Sequence, residues 1–172
     1  MKLSLIPADP KLHDTLLRNL WQFYLYEFSR FTRDTVTPSG RFAETELDGV
    51  FSRYKRHPFL IYADDAVAGF AIVDSGIKSH FTDSVSVIYM YEFFILAGYQ
   101  KRGLGAQVAT RLFDQFPGHW EVFEMADNLA AQHFWRKVIG RYTSGKYREI
   151  TLVTADGFVQ FFDSGVTTRK TD

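Results

Sequence analysis

The stretch from Tyr89 to Phe116 constrains the fold more than any other part of this chain. A β-branched and aromatic run, Val85 to Ile95, reads as a strand. It stops at Ala97-Gly98, and a basic turn, Gln100-Lys101-Arg102-Gly103-Leu104-Gly105, opens directly into a helical pattern in which Leu104, Val108, Leu112 and Phe116 form an i, i+4 stripe. Pro117-Gly118 ends that helix. Strand, glycine turn and helix in succession make an anion-binding geometry. The first backbone N–H groups of a helix lack internal partners and the macrodipole adds partial positive charge there, so a phosphate can dock. Gly103 and Gly105 let the backbone approach closely, and Lys101 and Arg102 add formal charge.

The spelling of the turn narrows the ligand. A Walker loop needs G-x-x-x-x-G-K-[ST], which the chain lacks, and a dinucleotide fingerprint counted from Gly103 meets Val108 where its third glycine belongs. What fits is Q-x-x-G-x-G, Gln100 to Gly105, and downstream stands a second motif, N-x-x-A-x-x-F-[WY], spelled Asn128, Ala131, Phe134 and Trp135. On these two motifs the chain resembles the GNAT superfamily of acyl-CoA-dependent N-acyltransferases. The resemblance implies an α/β fold with a central mixed, twisted sheet of about seven strands and helices on both faces.

The remaining elements agree with that order. Leu3 to Ile6 reads as a first strand, and Asp9-Pro10 offers a helix N-cap with proline at the first helical position. Leu12, Leu16, Leu20, Phe23 or Tyr24, and Phe28 recur at helical spacing. Arg30 to Arg41 reads as a loop, and Leu47, Val50, Phe51 and Tyr54 mark a second, shorter helix. Phe59 to Tyr62 and Ala66 to Val73 form a hairpin through Asp64-Asp65. After the central stretch come a strand from Trp120 to Met125, a helix closing near Gly140, and a final hairpin of Tyr147 to Thr154 and Phe158 to Phe162 turning at Ala155-Asp156-Gly157. The expected organisation is one domain over 1–163 and a polar tail over 164–172.

Composition excludes several function classes. Twenty basic residues balance twenty acidic ones, which leaves no electrostatic footprint for nucleic acid or an anionic membrane. The absence of cysteine removes disulfides, thiolate metal sites and cysteine nucleophiles. The five histidines, His13, His57, His80, His119 and His133, show no paired ligand spacing, so no metal site is expected. With no long apolar run and no signal-peptide pattern, a cytoplasmic location is expected.

The resemblance also assigns chemistry, residue by residue. Its cofactor is acetyl-CoA: Gln100, Lys101, Arg102, Gly103, Leu104, Gly105 and Ala106 cradle the pyrophosphate, while Phe94, Ile95 and Leu96 at the strand end, together with Asn128, Phe134 and Trp135, accompany the pantetheine arm. By sequence alone Asn128 is equally an N-cap. An amine must lose a proton to attack a thioester, and Glu92, flanked by Tyr91 and Phe93, is the candidate general base, in a setting expected to raise its pKa. A register slip of one residue would turn it away from the site. Where many family members carry a tyrosine acid, this chain has Trp135, whose indole donates a hydrogen bond but is no acid. Tyr142, just beyond the helix, or water is the candidate replacement, and the coenzyme thiolate is a tolerable leaving group without either. Tyr24, Glu27, Phe28 and Phe31 lie where the family builds its acceptor pocket, and an aromatic wall with a carboxylate suits a cationic amine.

The expected activity is transfer of an acetyl group from acetyl-CoA to a primary amine of a small molecule, by direct attack in a ternary complex. Acetylation of a protein or peptide amine is the alternative within the enzyme class, and a non-catalytic acyl-CoA-binding sensor is the rival outside it. The chain is expected to be a monomer or a homodimer, the latter through aromatics of the final hairpin, Phe158, Phe161 and Phe162, taken as exposed.

Overall fold

The computed structural model describes residues 2–44, 47–53, 55–84, 86–152 and 156–165. Seven strands, β1 (Leu3–Pro7), β2 (Arg56–Ala63), β3 (Ala66–Ile77), β4 (Val87–Ile95), β5 (Gly118–Met125), β6 (Arg148–Leu152) and β7 (Gly157–Ser164), form a mixed sheet in the order β1-β2-β3-β4-β5-β7-β6. Three helices, α1 (Pro10–Thr32), α2 (Leu104–Gln115) and α3 (Leu129–Tyr142), accompany them. β4 and β5 pair in parallel through Ile88 with Trp120 and Tyr89 with Glu121, as a strand–helix–strand crossover through α2 requires. The chain divides into two compact units, Met1–Val73 with Tyr91–Leu104, and Asp74–Met90 with Gly105–Asp172.

In the first unit, α1 starts where its cap dictates. The Asp9 carboxylate accepts from the N–H groups of Lys11 (2.7 Å) and Leu12 (3.2 Å), and Pro10 occupies the first turn, where its missing N–H costs nothing. The helix runs one turn further than its apolar spacing suggests, to Thr32, and stops at Arg33, which takes a left-handed conformation and donates its N–H to Ser29. Its buried side, Leu17, Leu20, Trp21 and Tyr24, packs on Leu60, Phe70, Ile72 and Phe94 of β2, β3 and β4. Asp64 and Asp65, both at positive φ (48° and 67°), close the β2–β3 hairpin as a two-residue turn whose twist matches that of its strands.

Among the described residues, the expected second helix is absent. Leu47 to Ser52 is a succession of i→i+3 turns, because Gly49 sits in the left-handed region (φ 77°) and breaks the helical repeat; Tyr54 lies outside the described residues. Leu47 and Val50 nevertheless reach the α1 core.

Gly69 of β3 lies so close to β4 that a Cβ there would stand 2.0 Å from the Phe94 carbonyl oxygen. Gly69→Ala is therefore expected to destabilise the protein by about 1–3 kcal/mol, since the obstacle is backbone and cannot rotate away. Denaturant unfolding checks this.

In the second unit, Phe113 of α2 meets Trp120 (4.9 Å), Phe162 (4.8 Å) and Tyr142 (5.1 Å), an edge-to-face cluster that Trp135, Val138 and Ile139 of α3 help to bury. The helical stripe of α2 shifts at its end. Phe113 rather than Phe116 completes the buried face, since Phe116 lies past the last helical residue. The aromatics of the final hairpin are not an exposed patch. Phe162 is core, stacked on Trp120, and the half-buried rings of Phe158 and Phe161 lie beneath the guanidinium groups of Arg136 and Arg148. Thr154 and Ala155 of that hairpin lie outside the described residues.

Candidate active site

Within the first unit, the expected general base stands near the end of β4. Phe94 belongs to the α1 core, and Glu92, two residues before it and so on the same face of β4, points to the α1 side, while Tyr91 is partly buried against that core. There the Tyr24 hydroxyl donates a hydrogen bond to Glu92 Oε2. Tyr24 is 5% exposed, and its ring is set against Phe28 (4.3 Å), Trp21 (4.8 Å), Phe70 (5.8 Å) and Phe94 (6.0 Å). Phe31 follows, edge-on to Phe28 at 6.0 Å. Three of the four expected acceptor-site residues thus form one aromatic wall with Glu92. The fourth, Glu27, is drawn aside: its carboxylate pairs with Arg30 one turn further along α1.

Sequence reading passed over Arg56 in this unit. It is buried at the start of β2, with its guanidinium 3.4 Å from the ring centre of Tyr91, next to Glu92. An arginine directly before a strand's apolar run was the available signal.

Beyond Ile95 the backbone is fastened before it turns. The Leu96 N–H donates to Ala68 (2.8 Å) on β3, the Leu96 carbonyl accepts from Tyr99 (2.8 Å), and the Gln100 side chain donates to the Ile95 carbonyl (2.8 Å). Gln100 thereby ties the glycine turn to the end of β4. Lys101 (φ 59°) and Gly103 (φ 81°) both take left-handed conformations, and Lys101, Arg102 and Gly103 are exposed, with open space over Gly103 where a Cβ would stand. Leu104, buried, begins α2. Positive-φ backbone, two cations and a helix start form a donor set that fits a pyrophosphate, and no neighbouring atom fills the space over Gly103.

The other expected residues belong to the second unit. Gly105 and Ala106 lie in the first turn of α2. Asn128 is the N-cap of α3, its side chain accepting from the Ala131 N–H at 3.1 Å, so the capping role is realised. Gln132, one turn on and not foreseen, donates to the carbonyls of Met125 (2.9 Å) and Ala126 (2.8 Å) and holds α3 to the end of β5. Trp135 is buried, and Phe134 packs on it at 4.9 Å. Tyr142 is the last residue of α3 rather than beyond it, and its hydroxyl donates to Asp114 (2.8 Å). Burial of the phenol, and then the Asp114 carboxylate, push its pKa up to about 12. A cleft in this unit, bordered by Ser75, Gly76, Ile88 and Phe116, includes none of the expected site residues.

Among the described residues no cluster of three His, Cys, Asp or Glu could hold a metal ion, and no helix is long and apolar enough to cross a membrane.

The family model described as "Acetyltransferase (GNAT) family" matches residues 15–140. No curated protein matches the chain by sequence. Among solved structures, an acetyltransferase from Thermus thermophilus is similar, with a TM-score of 0.66 at 16% identity over 95% of this chain and 97% of that one. An aminoglycoside acetyltransferase in complex with coenzyme A and kanamycin gives 0.63 at 14% identity, over 94% and 95%. The ribosomal-protein-S18-alanine N-acetyltransferase of Escherichia coli gives 0.58 at 14% identity, over 98% of each. At such identities these likenesses speak for the fold.

Proposed function

The chain belongs to the GNAT family and is an acyl-CoA-dependent acetyltransferase that uses acetyl-CoA, and from that premise we propose that its acceptor is a primary amine of a small molecule. The observation that carries this reading is the Glu92 carboxylate held by the Tyr24 hydroxyl on the aromatic side of α1, where the rings of Phe28 and Phe31 follow. Aromatic faces and a carboxylate attract an ammonium group, and the carboxylate can then take its proton.

When bound, acetyl-CoA would supply an acetyl thioester: the C–N bond would form at its carbonyl carbon as the C–S bond breaks, and coenzyme A would leave as the thiolate and take its proton from water. In this reading Gln100 to Ala106 hold the pyrophosphate through backbone N–H groups, with Lys101 and Arg102 adding charge. Phe94, Ile95, Leu96, Asn128, Phe134 and Trp135 flank the pantetheine arm. Glu92 accepts the amine proton, directly or through one water. We give Tyr142 no proton-donating part, because a phenol raised to about 12 and already bonded to Asp114 is a poor match for a thiolate. Tyr142→Phe is then expected to leave kcat unchanged, which steady-state kinetics measures directly.

The test is calorimetric titration with acetyl-CoA, coenzyme A and ATP, on the wild type and on Gly103→Glu, followed by a screen of small amines and of peptides with free N-termini for thiol release. Glutamate at 103 meets no neighbouring atom but adds negative charge and a left-handed strain of about 1 kcal/mol. Acetyl-CoA affinity should fall about tenfold or more, with ATP ineffective in both proteins. Turnover of peptides but not of small amines would overturn the acceptor assignment. Unchanged affinity in the variant would overturn the pyrophosphate site.

A further inference from the structure

We propose that Tyr24 is a positioning residue: its hydroxyl holds the Glu92 carboxylate ionised and aimed, so that the phenol serves the proton acceptor rather than the substrate. This rests on the reading of Glu92 as the group that takes the amine proton. The two residues are 68 positions apart, and the fold joins them through the hydrogen bond from Tyr24 Oη to Glu92 Oε2.

A residue that only walls a pocket presents a ring face. Tyr24 instead has its ring enclosed by Trp21, Phe28, Phe70 and Phe94, all within 6.0 Å, which leaves the phenol no freedom of orientation. The ring is a rigid post, and its polar end is set on Glu92. Such a post answers a chemical need. Apolar surroundings push a carboxyl toward its neutral form, and a neutral carboxyl cannot accept a proton. A phenol donating to the carboxylate favours the ionised form and offsets that push. Among the described residues, the charged groups on the adjoining elements include Arg56, over the neighbouring Tyr91 ring, and the Glu27–Arg30 pair on α1. Arg56 assists in the same direction, whereas Glu27 is balanced by its own partner.

The experiment is an NMR titration of the full chain carrying 13C-carboxyl glutamate and 13C-labelled tyrosine, with Glu92→Gln identifying the Glu92 signal. In Tyr24→Phe the Glu92 midpoint should rise by about one pH unit, a shift that mere loss of packing would not produce, since phenylalanine keeps the ring. Acetyl-CoA affinity should stay unchanged, and kcat should fall without a change in KM for acetyl-CoA. An unmoved midpoint overturns the proposal. Should Tyr24→Phe fail to fold, the reciprocal measurement decides: in Glu92→Gln the Tyr24 phenol should titrate lower than in the wild type, and no change there overturns the proposal equally. If the midpoint stays put while Glu92→Gln abolishes turnover, the positioning role alone fails. If Glu92→Gln keeps full turnover, the proton-acceptor reading fails with it.

Discussion

Glu92→Gln is expected to lower kcat by about 10²–10⁴-fold, the range a positioned general base contributes, while leaving the dissociation constant for acetyl-CoA unchanged. The amide is isosteric, and its oxygen can still accept the Tyr24 hydrogen bond, so the aromatic wall on α1 should stay in place. What disappears is the capacity to take a proton: an amine with a pKa near ~10.4 is almost entirely charged at neutral pH and cannot attack until it is relieved of that proton. The coenzyme residues proposed above lie at other positions, so binding and turnover separate cleanly in this variant. Calorimetry with acetyl-CoA beside steady-state thiol release reads both quantities. A variant that loses both would place Glu92 in the coenzyme site rather than in proton transfer.

Glu124→Gln is expected to stabilise the protein, by about 3 kcal/mol at pH 7, and to flatten the dependence of stability on pH. Glu124 lies on β5, 3% exposed, and neither carboxyl oxygen has a hydrogen-bond partner among the described residues. Burial, and then the nearby negative charge of Glu149, push its pKa up to about 9, against the opposing pull of Arg136. Arg136 is committed elsewhere, gripping Glu149 with two nitrogens at 2.8–3.2 Å, and Gln160 adds a bond to the same carboxylate at 2.7 Å. The sign follows from proton counting. The unfolded chain releases the Glu124 proton near the ordinary value of 4.5, the folded chain keeps it to about 9, and in between unfolding releases a proton, so stability falls as pH rises through that window. Glutamine has no proton to lose. Its amide also has a partner in prospect, because Gln160 lies diagonally opposite on the β5–β7 ladder and its side-chain oxygen is buried without a partner among the described residues. Urea unfolding of both proteins from pH 5 to pH 9 measures the difference. Parallel curves would show that Glu124 is ionised in the folded protein.

Part of this architecture follows from neighbours in the chain. Asp9-Pro10 caps α1, Asp64-Asp65 turns the β2–β3 hairpin, and the run from β4 through Gly103 into α2 is a local succession of strand, left-handed turn and helix. Caps, turns and amphipathic stripes depend on residues a few positions apart, so composition and spacing determine them and the two motifs could be recognised within them. One local signal misled: Leu47, Val50 and Phe51 have helical spacing, but Gly49 between them adopts a conformation closed to a helix, and burial on α1 supplies the same apolar spacing without one.

Tertiary structure decided the rest. Whether Glu92 faces α1 depends on which side of β4 the helix covers, and a strand's own residues do not say which of its faces a distant helix will meet. The partnership of Tyr24 with Glu92, the burial of Phe162 and the row of Glu124, Gln160, Glu149 and Arg136 all depend on which faces meet. Short-range spacing alone settled most of the secondary elements, the glycine turn and the two family motifs, because each is written in local backbone geometry. Only the folded chain decided which titratable groups share a low-dielectric surface, because the energies of burial, ion pairing and hydrogen bonding belong to pairs of residues and not to either residue alone.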